Sequence, residues 1–88
     1  MEKVGVEACV FLKIKQKEGV AEKILKKLYP EELKGLPIEG VEKADVVTGI
    51  YDMIIRIKSE NLKTLGELTY KISSIEGVQG IWTCIVVQ

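Results

Sequence analysis

The chain contains no histidine, which removes the commonest acid–base side chain and the commonest metal ligand from its candidate chemistry. Aromatic residues make up only 6% of the 88 residues, too few to line strands with stacking platforms for RNA bases. The 13 basic and 13 acidic residues cancel, so no net field attracts nucleic acid or an anionic membrane. We therefore expect no metal, no cofactor and no direct nucleic-acid partner.

Long hydrophobic runs are also missing from the sequence. No apolar stretch approaches the ~20 residues that a helix needs to span a bilayer. The first residues lack the apolar segment of a signal peptide. These absences predict a cytoplasmic protein without a membrane partner.

Only two cysteines occur, Cys9 and Cys84, and each lies within an apolar, strand-like run. They lack the Cys-x-x-Cys spacing of a metal carrier, so we interpret them as small buried thiols. A disulfide between them would require neighbouring strands, and a reducing cytosol disfavours one.

Hydrophobic residues form 47% of the chain, enough for the core of one domain spanning residues 1–88. The apolar pattern predicts a strand at 6–15, a helix at 18–29, strands at 41–48 and 52–58, a helix from the N-cap Asn61 to about residue 75, and a strand at 79–87. This βαββαβ order predicts an α+β, ferredoxin-like sandwich, in which both helices cover one face of a four-stranded antiparallel sheet. We expect the first and last strands side by side in the middle of the sheet. Residues 29–40 are predicted to form an irregular surface excursion with one extra turn.

The sheet face away from the helices, which we call the open face, is predicted to have an apolar centre within a charged rim. The register of the last strand decides whether it adds Trp82, Cys84 and Val86 or Ile81, Thr83 and Ile85. The predicted rim is Glu7, Lys13, Lys15, Arg56 and Lys58. Apolar patches with polar rims mark protein contacts, so we predict an ACT-like homodimer in which two open faces pack together. The predicted interface residues are Cys9, Phe11, Ile54 and Trp82. A half-solvated sheet face is the alternative.

Residues 46–58 are the segment around which the chain is organised. Two runs rich in Val and Ile flank the sequence Thr48-Gly49-Ile50-Tyr51-Asp52. This pattern predicts a β-hairpin, in which Gly49 can adopt a positive φ without a Cβ penalty. Asp52 is an unfavourable residue at the start of a strand. Two interpretations of Asp52 stay open: it bonds turn amides, or it contacts a ligand or another subunit.

Three segments together resemble the effector-binding domain of Lrp/AsnC-type transcription regulators. Residues 44–55 (Ala-Asp-Val-Val-Thr-Gly-Ile-Tyr-Asp-Met-Ile-Ile) resemble the hairpin of that domain. Residues 71–78 are similar to its second helix and Ile-x-Gly-Val exit, and residues 83–86 (Thr-Cys-Ile-Val) to its final strand. The resemblance extends over residues 8–87.

The resemblance implies a binding module rather than an enzyme. It implies the βαββαβ fold, dimers made sheet to sheet, and rings of those dimers such as octamers or decamers. It also implies a small-molecule effector, an amino acid or similar compound, bound near the contacts between dimers. Carried over to this sequence, the effector-binding residues are Thr48, Gly49, Tyr51, Asp52 and Thr83. Asp52 would neutralise an α-ammonium group, backbone N–H groups around Gly49 would receive a carboxylate, and the Thr83 hydroxyl would orient either group.

The sequence departs from the family pattern in three places. Ile81 stands where the family has the first threonine of a Thr-x-Thr motif, which weakens the expected site. The segment 29–40 is longer than the usual link after the first helix. Nothing before Val6 could form the helix-turn-helix domain that precedes this one in the family, so we expect a stand-alone effector domain without a DNA-binding domain. Such a domain would modulate transcription or metabolism through full-length Lrp/AsnC regulators as partners.

Two other functions are compatible with the predicted fold. The first is a purely structural subunit that co-assembles with full-length regulators and has no ligand of its own. The second is a small ferredoxin-like enzyme, such as an acylphosphatase or a dimeric α/β-barrel monooxygenase. The sequence shows neither a glycine-rich anion loop with catalytic Arg and Asn nor an acid–base pair.

Overall fold

A computed structural model describes residues 5–87 of the chain. The elements are β1 (Val6–Ile14), α1 (Val20–Leu28), a 3-10 turn (Glu31–Leu33), β2 (Val41–Val46), β3 (Met53–Ser59), α2 (Leu62–Ser73) and β4 (Val78–Ile85). The predicted βαββαβ order is confirmed, and element boundaries shift by one or two residues. The predicted extra turn within 29–40 is the 3-10 turn.

Local sequence signals explain where the helices begin and end. The Asn61 side chain accepts a hydrogen bond from the Thr64 N–H at 2.8 Å and so satisfies one of the free donors at the start of α2. After α2 the chain reverses at Gly77, whose φ of 102° is strained for any residue with a Cβ. Pro30 follows α1 and disfavours helical backbone in the residue before it.

The four strands form one antiparallel sheet in the order β2-β3-β1-β4. The first and last strands are neighbours, as predicted, but they are not both in the middle: β1 and β3 are central, and β4 is an edge strand. β3 already pairs with β1 along one edge of β1. The connection through α2 crosses over β1, and β4 therefore pairs with the opposite edge of β1. The apolar composition of β4 therefore does not reflect a central position.

The helices cover one face of the sheet and bury its side chains. The two-residue period of β1 and β3 is reproduced, because every second residue is buried from Ala8 onward in β1 and throughout β3. The core consists of Ala8, Val10, Leu12, Ile14, Ile24, Leu28, Val41, Met53, Ile55, Ile57, Leu65 and Ile72. Full burial of one such Val, Leu or Ile side chain contributes about 1.5–3 kcal/mol. This layer fixes the position of β1 and β3, which carry the residues described next.

The register of β4 decides which of its side chains lie on the open face. Phe11 is opposite Trp82, and Cys9 is opposite Cys84. The open face therefore receives Trp82 and Cys84, while Thr83, opposite Val10, lies on the side of the helices. The interpretation of the cysteines as buried thiols is wrong for this chain. Cys84 is exposed and Cys9 is half-buried, because no helix or strand among residues 5–87 covers the open face beside an edge strand.

Candidate functional site

The β2–β3 turn is a six-residue loop, residues 47–52, with an exposed tip. The Val47 N–H donates to the Asp52 carbonyl at 2.9 Å and closes the loop. Gly49 has a φ of 138°, which confirms that this position uses backbone freedom that other residues rarely have. Thr48, Gly49 and Ile50 are exposed. Backbone groups at the tip are thus accessible to a ligand or to another protein surface.

Asp52 connects this loop to the end of β1. Its backbone N–H donates to the Leu12 carbonyl at 2.8 Å, and its Oδ2 accepts from the Ile14 N–H at 2.8 Å. The Lys13 Nζ lies 3.6 Å from the same oxygen. The carboxylate therefore bonds an amide of β1 rather than an amide of its own turn. Its side chain keeps 18% of its surface exposed, so it is also open to further contacts.

The charge of Asp52 is favoured by this environment. The hydrogen bond from the Ile14 N–H lowers the pKa of the Asp52 carboxyl, and the nearby positive charge of Lys13 lowers that pKa further. Partial burial opposes both effects. Asp52 is thus a stable carboxylate at neutral pH, as a partner for an ammonium group must be.

Three aromatic rings from three elements meet on the open face. The Tyr51 ring lies 4.9 Å from that of Phe11 and 5.5 Å from that of Trp82, centroid to centroid, in tilted arrangements. Trp82 remains 48% exposed despite these contacts. Tyr51, predicted only as an effector residue, therefore belongs to the turn and to the open face at once. Sequence reasoning missed this link, because no local pattern ties the loop to β4.

The predicted interface residues share the open face. Ile54 and Trp82 lie opposite Phe11 on its two neighbouring strands, and Cys9 is the next open-face residue of β1. Rim charges are partly paired across strands, since the Arg56 Nη1 lies 3.8 Å from the Glu7 Oε1. Exposed pairs of this kind stabilise little. The apolar centre is thus present as predicted, and the partner that would cover it stays a prediction.

The structure brings together four of the five predicted effector residues. Thr48, Gly49, Tyr51 and Asp52 form one loop, whereas Thr83 lies on the opposite side of the sheet from the Tyr51 ring. Two surface clefts, of about 670 Å³ and 540 Å³, lie elsewhere, and none of the five residues lines either cleft. Within one chain, the tip of the loop is exposed surface.

Other kinds of site find no support in the described part of the chain. Residues 5–87 hold no cluster of three or more Cys, Asp or Glu side chains that could bind a metal ion. No helix between these residues is long and apolar enough to cross a membrane.

These features define an α+β domain of ferredoxin-like topology, with one sheet face covered by helices and the other apolar and open. The Lrp/AsnC ligand binding domain matches residues 7–88 of the sequence. The chain therefore belongs to the Lrp/AsnC ligand-binding domain family.

The chain spans about half the length of the curated relatives it matches, which are HTH-type transcriptional regulators. The HTH-type transcriptional regulator FL11 of Pyrococcus furiosus is 33% identical over 89 residues, which cover 99% of this chain and 53% of FL11. The structure of Escherichia coli AsnC has a TM-score of 0.76 and 25% identity, and the match covers 94% of this chain and 51% of AsnC. A transcriptional regulator of Neisseria meningitidis, solved as its L-Met complex, has a TM-score of 0.81 at 15% identity, covering 98% of this chain and 52% of that chain. This last likeness shows the fold alone.

Proposed function

We propose that this domain binds an amino acid or a closely related small molecule at the 48–52 loop, and that it acts on transcription through partner regulators. The observation that carries the proposal is the match of residues 7–88 to a ligand-binding domain. That match favours binding over catalysis. Action on transcription is part of the proposal because the relative FL11 is an HTH-type transcriptional regulator.

The chemistry of the loop supports a zwitterionic ligand. Asp52 supplies a negative charge for an α-ammonium group, and its lowered pKa keeps that charge at neutral pH. The exposed backbone at Gly49 supplies N–H groups for a carboxylate. Because Thr83 lies on the helix side of its own sheet, the Thr83 hydroxyl at this loop would come from a neighbouring copy. Such a site, shared between copies, fits a loop that lines neither of the two surface clefts.

The second part of the proposal is a homodimer formed by two open faces. Phe11, Ile54 and Trp82 form an apolar centre, and charged groups such as Arg56 and Glu7 surround it. This is the anatomy of a protein contact. In a dimer with a two-fold axis, the patch on one copy packs against the same patch on the other copy. The Tyr51 ring would then be fixed by the contact, so the dimer would hold the effector loop in place.

The decisive experiment is a thermal-shift screen of the protein against the common amino acids, with L-methionine included because of the Neisseria meningitidis complex. A ligand at 100 times its Kd adds about 2.7 kcal/mol to the free energy of unfolding. We expect at least one amino acid to raise the Tm. Asp52→Asn, which keeps an acceptor oxygen for the Ile14 N–H but loses the charge, should reduce that shift strongly, and Asp52→Ala should abolish it.

Asp45→Asn is the matched control, because it removes a carboxylate that is 54% exposed on β2 and outside the loop. It should leave the ligand-induced shift unchanged. Light scattering of each variant checks assembly: Asp52 variants that dissociate into monomers would make Asp52 an assembly residue instead. A chain that responds to no amino acid would favour a structural subunit that co-assembles with regulators without a ligand.

A further inference from the structure

The two cysteines of the chain lie directly opposite each other on neighbouring antiparallel strands. Cys9 of the central strand β1 is the register partner of Cys84 of the edge strand β4. The Val86 N–H donates to the Glu7 carbonyl at 2.8 Å, which marks a hydrogen-bonded pair two residues away along both strands. Because the pairs alternate along an antiparallel ladder, Cys9 and Cys84 also form a hydrogen-bonded pair, for which the Cα atoms lie about 5.5 Å apart.

This placement meets the Cα spacing of a disulfide. A separation near 5.5 Å falls within the 4.4–6.8 Å that disulfides typically span between Cα atoms. Both side chains also point the same way, since residues directly opposite each other in a ladder share a face. In the single chain Cys84 is exposed and Cys9 is half-buried, so a small reagent can reach Cys84 first as long as the open face is not covered by a second copy. Both thiols are free in the structure.

We propose that Cys9 and Cys84 are a site of reversible modification, in which a small disulfide such as oxidised glutathione converts the two thiols into one intramolecular disulfide. The Cys84 thiolate attacks the reagent, forms a mixed disulfide and expels one glutathione thiolate. The Cys9 thiolate then attacks the Cys84 sulfur, forms the cross-strand S–S bond and expels the second glutathione. Two electrons pass from the cysteines to the reagent, and the two thiol protons pass to the expelled thiolates through solvent.

The bond would join an edge strand to the centre of the sheet. It would close a loop from residue 9 to residue 84, which contains both helices and the β2–β3 hairpin. Cross-links that close long loops restrict the unfolded chain most and thus raise stability. The bond would also lie on the open face, beside Phe11 and Trp82, and would hold β4 in its register there. Redox state would then set the rigidity of the surface proposed for dimerisation.

The test dilutes the folded 88-residue chain until light scattering reports monomers, exposes it to oxidised glutathione, traps free thiols by alkylation, and compares intact masses. We expect a product lighter than the reduced protein by two hydrogens, with a proteolytic fragment that joins the peptides of Cys9 and Cys84. Its Tm should exceed that of the reduced protein by roughly 10 °C, and a thiol reductant should reverse both changes. Cys9→Ser and Cys84→Ser should each show no such product and no rise in Tm.

Stable glutathione adducts on both cysteines, disulfide-linked dimers, or two thiols that stay free would each overturn the proposal. Wild-type protein kept under a thiol reductant separates this inference from effector binding. It should keep any amino-acid-induced Tm shift, because no cysteine is changed and neither cysteine belongs to the 48–52 loop. A failure of the redox experiment would therefore leave the proposed function standing, and the converse also holds.

Discussion

The two faces of the sheet carry similar side chains in opposite situations, and two adjacent residues of β3 show the difference. Ile55 is fully buried beneath the helices, whereas Ile54 is half-buried on the open face. The side chains of the helix-covered face form the buried hydrophobic core, which stabilises the folded chain. The open face contributes apolar surface that the single chain leaves in contact with water. The comparison indicates that one face determines the fold and the other is available for a partner.

The largest expected effect comes from truncating the buried isoleucine. Ile55→Ala removes methyl groups from a fully buried position and leaves a cavity, so it should lower the free energy of unfolding by about 2–5 kcal/mol. Ile54→Ala is the matched control, with the same deletion on the same strand, and should cost about 1 kcal/mol or less in a monomer. Urea unfolding of both variants at low protein concentration measures the difference.

Varying the protein concentration is a second test of the difference between the two faces. If two copies cover the open face, the cost of Ile54→Ala should grow with protein concentration, because assembly stabilises the native state by mass action. The cost of Ile55→Ala should change little with concentration. Equal costs for the two variants at low concentration would contradict the distinction between the faces.

The next effect concerns the open face alone. Phe11→Glu places a charge at the centre of the predicted contact, next to Trp82 and Tyr51. A buried charge without a partner costs several kcal/mol, so the dimer Kd should rise at least about 100-fold. Light scattering should report monomers or aggregate. Tyr70→Glu is the control, since Tyr70 is an aromatic residue on α2 that is 75% exposed, and it should leave the oligomer intact. Unchanged oligomers in Phe11→Glu would refute the predicted interface.

The helix-covered face could be predicted from the sequence for a physical reason. β1 and β3 alternate apolar and polar residues, and such alternation assigns each side chain to a face whatever the register. Asn61 likewise marks the start of α2 by its own chemistry. The fold class followed from these local signals and from the order of the elements.

The candidate site could be predicted only in part, because it depends on non-local pairing. β4 is apolar on both faces, so its sequence left open whether Trp82 or Thr83 faces the open side. That register also decides that Cys9 meets Cys84 and that Tyr51 reaches Trp82. The loop 48–52 was recognisable from its glycine and its flanking strands. The bond between Asp52 and Ile14 was not, because it joins residues 38 positions apart.

The smallest expected effect lies where the loop meets β1, and it depends on pH. The hydrogen bond from the Ile14 N–H, assisted by the Lys13 charge, lowers the pKa of Asp52 in the folded state below its ordinary value of 3.8. In an unfolded chain that pKa returns to its ordinary value. The ionised Asp52 therefore stabilises the fold above pH 3.8, and this contribution disappears as pH falls through the lower, folded-state pKa. The Asp52→Asn variant lacks this titrating carboxyl. The difference in free energy of unfolding between the wild type and this variant should therefore shrink in acid below pH 3.8.

Lys13→Met tests which contact lowers the pKa of Asp52. The Ile14 hydrogen bond is the larger cause and comes from the backbone, so this variant should keep most of the acid dependence seen in the wild type. Urea midpoints of the three proteins, measured from neutral pH down to the acid range, give the answer. If Lys13→Met loses as much acid dependence as Asp52→Asn, the ion pair dominates instead. In that case an α-ammonium ligand would have to displace Lys13 from Asp52, and its affinity should rise in the Lys13→Met variant.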